Sequence, residues 1–145
     1  ALSDFDMVIR GGTVVNAAEI SKCDVGIKDG RIVALGEKLD AGAEEIDATG
    51  KYVMPGGIDS HCHIDQRSSG GGRNSETFES GTRSAACGGT TTIICFAAQE
   101  KGELLTPVVE EYHDKAKQSC IDYSFHLIII DESRIHKDKK FLIRY

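Results

Sequence analysis

The sequence lacks the features of several common protein classes. It has five cysteines but no Cys-x-x-Cys pair, and an odd number argues against a disulfide scaffold and a structural zinc knuckle. No apolar run approaches the roughly 18 residues that a membrane-spanning helix needs, and residues 1–6 do not resemble a signal peptide. A net charge of −6, without lysines and arginines clustered among aromatics, disfavours nucleic acid. These absences predict a cytoplasmic protein that binds neither nucleic acid nor a membrane.

The composition is that of a folded protein. Apolar residues make up 40% and charged residues 28% of the 145 residues, values that exclude wholesale disorder. A chain of this length can bury a substantial core.

The first 54 residues predict a domain of short β-strands. Asp29-Gly30 is typical of a two-residue hairpin turn, and Thr49-Gly50 of another turn. The predicted strands cover residues 7–15 (two runs around a Gly11-Gly12 turn), 24–28, 31–35, 45–48 and 52–54. This spacing predicts an antiparallel sheet or a small sandwich in a domain of residues 1–54.

Residues 55–145 form a second predicted domain, in which strands and helices alternate. The predicted strands cover 58–64, 90–97 and 121–130, and the predicted helices cover 76–87 and 104–119. We expect the first helix to stop at Gly88-Gly89, and the second to have Thr106 as N-cap, Pro107 next and acidic residues in its first turn. The alternation indicates an α/β fold with parallel strands. Only ten residues separate Ile130 from Phe141, too few for a comfortable helical crossover.

His61 and His63 are the candidate metal ligands. Residues two apart on a strand point to the same face, so one metal can be bound by both imidazoles. Gly56-Gly57 lets the chain turn into this strand. Asp59 could orient a ligand imidazole or act as a turn residue, and we favour the turn role. A bare His-x-His is common, so this motif gains weight only from its surroundings.

Those surroundings resemble a known family. Pro55-Gly-Gly-Ile-Asp-Ser-His-Cys-His63 is similar to the signature of the amidohydrolase superfamily. Further segments in the same order resemble its dihydropyrimidinase/hydantoinase family: residues 9–16, 46–55, 78–83, 88–92 and 120–126. The resemblance covers residues 7 to about 130. It implies the N-terminal portion of a (β/α)8 barrel, about three strands, preceded by part of a small β-sandwich.

The resemblance also implies a function: opening of a hydantoin or dihydropyrimidine ring. Family members hold two divalent metals, usually zinc, which are bridged by a carboxylated lysine and by the hydroxide that attacks the ring amide, and they form homo-oligomers such as tetramers. His61 and His63 match two metal ligands. By their spacing, Lys140 could match the bridging lysine and Tyr145 a substrate-binding tyrosine.

The chain departs from the family pattern in several places. Cys95 stands where the family commonly has aspartate, Lys139 replaces an aromatic residue, most of the helix before Lys140 is missing, and the later ligands are absent. We therefore expect the hydrolytic activity to be incomplete in this chain alone. An alternative is therefore a non-catalytic dihydropyrimidinase-related protein or an inactive fragment.

The remaining histidines and cysteines receive structural interpretations. His126 could face the site or lie in the core. We expect His113 and His136 at the surface, Cys62 packed away from the histidines, and Cys87 and Cys95 as buried, inert thiols.

Overall fold

The computed structural model describes residues 4–67 and 71–138. The chain forms two compact units, with the boundary between Pro55 and Gly56. Each unit has its own sheet. The interpretation of residues 1–54 and 55–145 as two domains of a larger architecture stays a prediction.

The sheet of the first unit is mixed. Its strands are β1 (Phe5–Val15), β2 (Ile20–Lys28), β3 (Arg31–Gly36), β4 (Gly42–Asp47) and β5 (Tyr52–Val53). The order is β3-β2-β1-β4, and β5 also pairs with β1. β1, β2 and β3 pair antiparallel, whereas β4 and β5 run parallel to β1. Of the two predicted alternatives, the antiparallel sheet is wrong, because the β3–β4 connection carries the chain from one sheet edge to the other and β4 runs parallel to β1. The small sandwich stays a prediction.

A second correction concerns β1, which is one strand rather than two runs around a turn. Its pairing with β2 shifts register between Ile9 and Gly12, which marks a β-bulge. Gly11 has φ +65°, a left-handed conformation that glycine adopts without strain. Its N–H donates to Asp24 Oδ1 over 2.9 Å, and Arg10 Nη1 donates to Asp24 Oδ2 over 2.8 Å. The buried carboxylate of Asp24 thus satisfies the backbone that the bulge leaves unpaired.

The predicted hairpin at Asp29-Gly30 is confirmed. Both residues have positive φ, 50° and 69°, as a two-residue turn of the primed type requires. The turn joins β2 to β3.

The second unit is α/β, as predicted. Its strands are β6 (Gly57–Cys62), β7 (Thr90–Ala98) and β8 (Asp122–Ile128), and they pair parallel in the order β6-β7-β8. Helix α1 (Phe78–Cys87) connects β6 to β7, and α2 (Leu105–Ala116) connects β7 to β8. The buried core of the unit consists of Ile64, Phe78, Ile93, Cys95, Ala97, Val108, Tyr112 and Ala116.

The two helices begin differently. The side chains of Thr77 and Ser80 cap the start of α1 reciprocally, and Gly88 ends the helix as predicted. Thr106 is not the N-cap of α2, because the helix already begins at Leu105. The predicted acidic residues in the first turn are also wrong, since that turn contains none. Instead, the Thr106 N–H and hydroxyl donate to the Asp138 carboxylate over 2.6 and 2.8 Å. A residue 32 positions away therefore satisfies this helix end.

The segment after β8 forms a short 3-10 helix, Glu132–Lys137, and Asp138 follows it. Within residues 4–67 and 71–138, no helix is long and apolar enough to cross a membrane.

Candidate metal site

The structure brings His61 and His63 together at the carboxyl end of β6. His61 lies in the strand and His63 directly follows it. Their ring centroids are 5.5 Å apart. Both rings also contact Phe96 of β7, with centroid distances of 4.6 Å for His61 and 4.8 Å for His63, which stacks on it. The two imidazoles therefore share one side of the sheet, as their spacing predicts.

Cys62 lies between the two histidines and packs elsewhere. Its Sγ is 3.2 Å from Sγ of Cys95, its partner in the adjacent strand. Cys95 is completely buried, and burial raises the pKa of both thiols, that of Cys95 well above its ordinary value. The predicted packing of Cys62 away from the histidines and the predicted burial of Cys95 are thus confirmed. Cys87 is exposed, so its interpretation as a buried thiol is wrong, because it occupies the last position of α1, away from the core.

Two polar side chains hold His63. Gln66 Oε1 contacts its Nδ1, and Asn74 Nδ2 donates to its carbonyl oxygen over 2.8 Å. An amide oxygen only accepts, so the proton of a neutral His63 belongs on Nδ1, and Nε2 keeps a lone pair. This arrangement resembles that of many metal-ligating histidines, in which a neighbour binds the second ring nitrogen.

Asp59 and Gly56 have local structural roles. Asp59 lies inside β6 rather than in a turn, so the predicted turn role is wrong; its Oδ1 accepts the His61 backbone N–H over 3.0 Å, which is a local structural role. Neither Gly56 nor Gly57 has positive φ, so the predicted sharp glycine turn is wrong. Gly56 is needed for another reason: a Cβ there would overlap the side chain of Thr91.

A third imidazole lies on the same side of the sheet. The ring of His126 in β8 is 5.1 Å from that of Phe96, and its Nε2 is 3.1 Å from the Ser60 carbonyl oxygen. His126 is exposed, so the interpretation as a core residue is wrong. Phe96 therefore forms the centre of a cluster with His61, His63 and His126. As expected, His113 and His136 are exposed.

The carboxyl ends of the three parallel strands border an open cavity of about 670 Å³, lined by Gln66, Arg67, Ala98, Gln99, Glu100 and Ile128 among others. Ligands of parallel α/β proteins bind at this end of the strands. Gln99 is buried, and its Oε1 accepts the N–H groups of Ile130 and Asp131, each over 2.9 Å. Arg67 pairs with Glu103 over 3.1 Å and contacts Glu111.

No sequence motif pointed to Gln66, Gln99 or Arg67. Gln66 could have been found from its position three residues after His63. The other two depend on contacts between distant segments.

The donor chemistry fits a zinc-type metal but does not complete a site. Neutral imidazoles are common zinc ligands, and four donors are usual. Among residues 4–67 and 71–138, no three histidine, cysteine or acidic side chains are grouped closely enough to hold an ion. The histidine pair would therefore need donors from elsewhere. Lys140 and Tyr145 lie outside the described residues.

Comparison with known proteins places these features in a wider context. A family model for the N-terminal domain of the urease alpha-subunit matches residues 2–55. The D-hydantoinase of Geobacillus stearothermophilus is 52% identical over 124 residues, covering 84% of this chain and 26% of that protein. The dihydropyrimidinase of Arabidopsis thaliana is 38% identical over 146 residues, covering 99% of this chain and 27% of that protein.

Solved structures give the same pattern. A D-hydantoinase structure superimposes with a TM-score of 0.86 at 43% identity, covering 92% of this chain and 30% of the other. The dihydropyrimidinase from Brevibacillus agri NCHU1002 superimposes with a TM-score of 0.85 at 40% identity, covering 95% of this chain and 31% of the other. The chain thus spans between 26% and 31% of the length of these relatives.

Proposed function

Because this chain belongs to the D-hydantoinase/dihydropyrimidinase family of amidohydrolases, corresponding to the N-terminal part of its members, we propose that it contributes to metal-dependent hydrolysis of a cyclic amide. The substrate class is a hydantoin or dihydropyrimidine ring, which opens when water is added across a ring carbon–nitrogen bond. The observation that carries this proposal is the pairing of His61 and His63 against Phe96 at the carboxyl ends of parallel strands.

We propose the same architecture for the two units that the family implies. β6, β7 and β8 with α1 and α2 would be the first three strands of a (β/α)8 barrel. The mixed sheet of residues 5–53 would be part of a small β-sandwich. Parallel pairing of β6–β8 in sequential order supports the barrel assignment, since neighbouring strands of such a barrel follow one another along the chain.

His61 and His63 are the proposed ligands of a divalent metal, with zinc the first candidate. Such a metal lowers the pKa of water towards about 7 and polarises a carbonyl oxygen. The Gln66 contact supports this role for His63. Because Gln66 occupies Nδ1 of the ring, the lone pair of Nε2 stays available for a metal. Lys140 as bridging ligand and Tyr145 as substrate-binding residue remain part of the proposal on their spacing alone.

The other residues of the site position these ligands. Phe96 packs against both imidazoles and limits their rotation. The Asp59 contact fixes the backbone of His61, and Asn74 fixes that of His63. The open cavity at the same end of the sheet is lined by Gln66, the residue that contacts His63, and is the proposed entry for a ring substrate.

A second candidate is a non-catalytic member of the family. The residue in its favour is Cys95, which stands where the family commonly has aspartate. It packs with Cys62 against the helices, on the face of β7 opposite Phe96, and supplies no ligand to the histidines. The retained and ordered His61–His63 pair argues against it. Metal binding discriminates between the two, since a non-catalytic relative has no need of the ligands.

Two further proposals concern the location of the protein in the cell and its oligomeric state. The odd number of cysteines supports a cytoplasmic location. A homo-oligomer, a tetramer by analogy with the family, is measurable by light scattering.

The direct test is a ring-opening assay with hydantoin and dihydrouracil, run on the purified protein after loading with zinc. Because the histidine pair needs donors from elsewhere, we expect turnover only in protein that retains zinc. That turnover should disappear in His61→Ala and His63→Ala and persist in His136→Ala, which removes an exposed imidazole from the 3-10 helix. Turnover that both site variants retain would exclude the proposed ligands. Absence of both stoichiometric zinc and turnover would favour the non-catalytic candidate.

A further inference from the structure

Two thiols, those of Cys62 and Cys95, lie in contact on β6 and β7, the strands that carry the histidine pair and Phe96. Cys62 and Cys95 are register partners on neighbouring parallel strands, and their sulfur atoms are 3.2 Å apart. Both are free thiols. The other three cysteines have no such neighbour in their immediate contacts: Sγ of Cys23 contacts the Ser21 hydroxyl, Sγ of Cys120 contacts the Thr82 hydroxyl, and Cys87 is exposed at the end of α1.

We propose that Cys62 and Cys95 form a reversible dithiol–disulfide site, which a small disulfide such as oxidised glutathione closes in the folded protein. The geometry allows it. Neighbouring strands lie about 4.8 Å apart, and disulfides span Cα separations of about 4.4–6.8 Å. The sulfurs need to approach by about 1 Å to reach the bonding distance of about 2.05 Å. Rotation of the two side chains provides most of this movement.

The two cysteines have different access to solvent, which sets the order of reaction. Cys62 is half-buried, whereas Cys95 is completely buried. Cys62 therefore reacts first: its thiol loses the proton, and the sulfur attacks glutathione disulfide, forming a mixed disulfide and releasing one glutathione. The raised pKa that burial gives this thiol slows the step, because only the ionised fraction attacks. The Cys95 thiolate then attacks the Cys62 sulfur and releases the second glutathione. The net reaction oxidises two protein thiols and reduces one glutathione disulfide to two glutathiones.

The position of the pair gives the bond a structural consequence. Cys62 lies between His61 and His63, so a closed bond would tie the strand end that carries both imidazoles to the middle of β7. A transient bond of this kind is compatible with a reducing compartment, where protein disulfides serve redox sensing rather than permanent stability.

Peptide mapping after oxidation tests the proposal. Trypsin places Cys62 in residues 52–67, and both Cys87 and Cys95 in residues 84–101. The experiment therefore uses Cys87→Ser protein, in which only an exposed cysteine has been changed. The folded protein is incubated with oxidised glutathione, free thiols are alkylated, and the digest is analysed by mass spectrometry without reduction.

We expect a linked 52–67/84–101 peptide that dithiothreitol separates, and that forms without urea. Circular dichroism during the incubation shows that the protein stays folded. With Cys95→Ser added, Cys62 should instead keep one glutathione. With Cys62→Ser added, Cys95 should remain unmodified, because it is buried. A linked peptide that forms only in urea, or a stable glutathione adduct on Cys62 while Cys95 is present, would overturn the proposal.

Discussion

Asp138 holds the start of α2, and its removal should destabilise the second unit. The Asp138 carboxylate is 4% exposed and accepts two hydrogen bonds from Thr106, which is 3% exposed. In Asp138→Ala both Thr106 donors lose their acceptor, and no solvent is at hand to replace it. Asp138 also lies two residues before Lys140 in the sequence.

The size of the effect follows from the two bonds. A hydrogen bond to a charged group contributes about 1.5–3 kcal/mol, and loss of a helix cap costs about 1 kcal/mol. These terms overlap, since one of the bonds is the cap itself. We therefore expect Asp138→Ala to lower the free energy of unfolding by about 2–4 kcal/mol. Asp138→Asn keeps one acceptor oxygen in place and should cost about half as much.

Urea denaturation followed by circular dichroism measures this difference. Asp114→Ala is the matched control, because Asp114 is an exposed carboxylate in α2 that pairs only with Lys117 at the surface. Hydrogen exchange should localise the loss to the first turn of α2. A change for Asp138→Ala no larger than that for Asp114→Ala would refute the assigned capping role.

Three further predictions follow from other contacts. The pKa of Asp24 lies below its ordinary value because the Gly11 N–H, the Leu39 N–H and Arg10 donate to it. Its stabilisation is therefore present above about pH 4 and is lost as the pH falls through the folded-state pKa, so thermal melts of the wild type and Asp24→Asn should converge in acid. Convergence at neutral pH instead would contradict this. Gly56→Ala should destabilise by about 1–3 kcal/mol, because its Cβ meets Thr91. A melt unchanged from wild type would show that this packing is not tight. Phe96→Ala should weaken zinc binding about 10-fold, measured by competition with a chelator dye, and Phe96→Leu should weaken it less. Equal affinities for wild type and Phe96→Ala would exclude the positioning role.

Local signals predicted the features that depend on neighbouring residues. Asp29-Gly30 produced the expected turn because two consecutive left-handed residues leave few alternatives. The His-x-His spacing placed both imidazoles on one side because side chains alternate along a strand. Strand–helix alternation after residue 55 predicted the parallel sheet.

Features that depend on contacts between distant residues could not be predicted from the sequence. Gly11-Gly12 looked like a turn, and the bulge became recognisable only with Asp24 paired to it from the next strand. Parallel pairing of β4 with β1 joins segments about 35 residues apart, which no local pattern specifies. Asp138 replaced Thr106 as the cap for the same reason. In the site, the contacts of Phe96 with three histidines required the register of β6, β7 and β8.

Metal content is the most direct measurement of the central claim, that His61 and His63 bind a divalent metal. The protein is loaded with zinc, freed of excess by gel filtration, and analysed for zinc and other divalent metals by elemental mass spectrometry, beside His61→Ala, His63→Ala and the control His136→Ala. The proposed site predicts retained zinc in the wild type and the control and loss of it in both site variants, with folding unchanged by circular dichroism. Equal zinc in all four proteins, or none in the wild type, would contradict it.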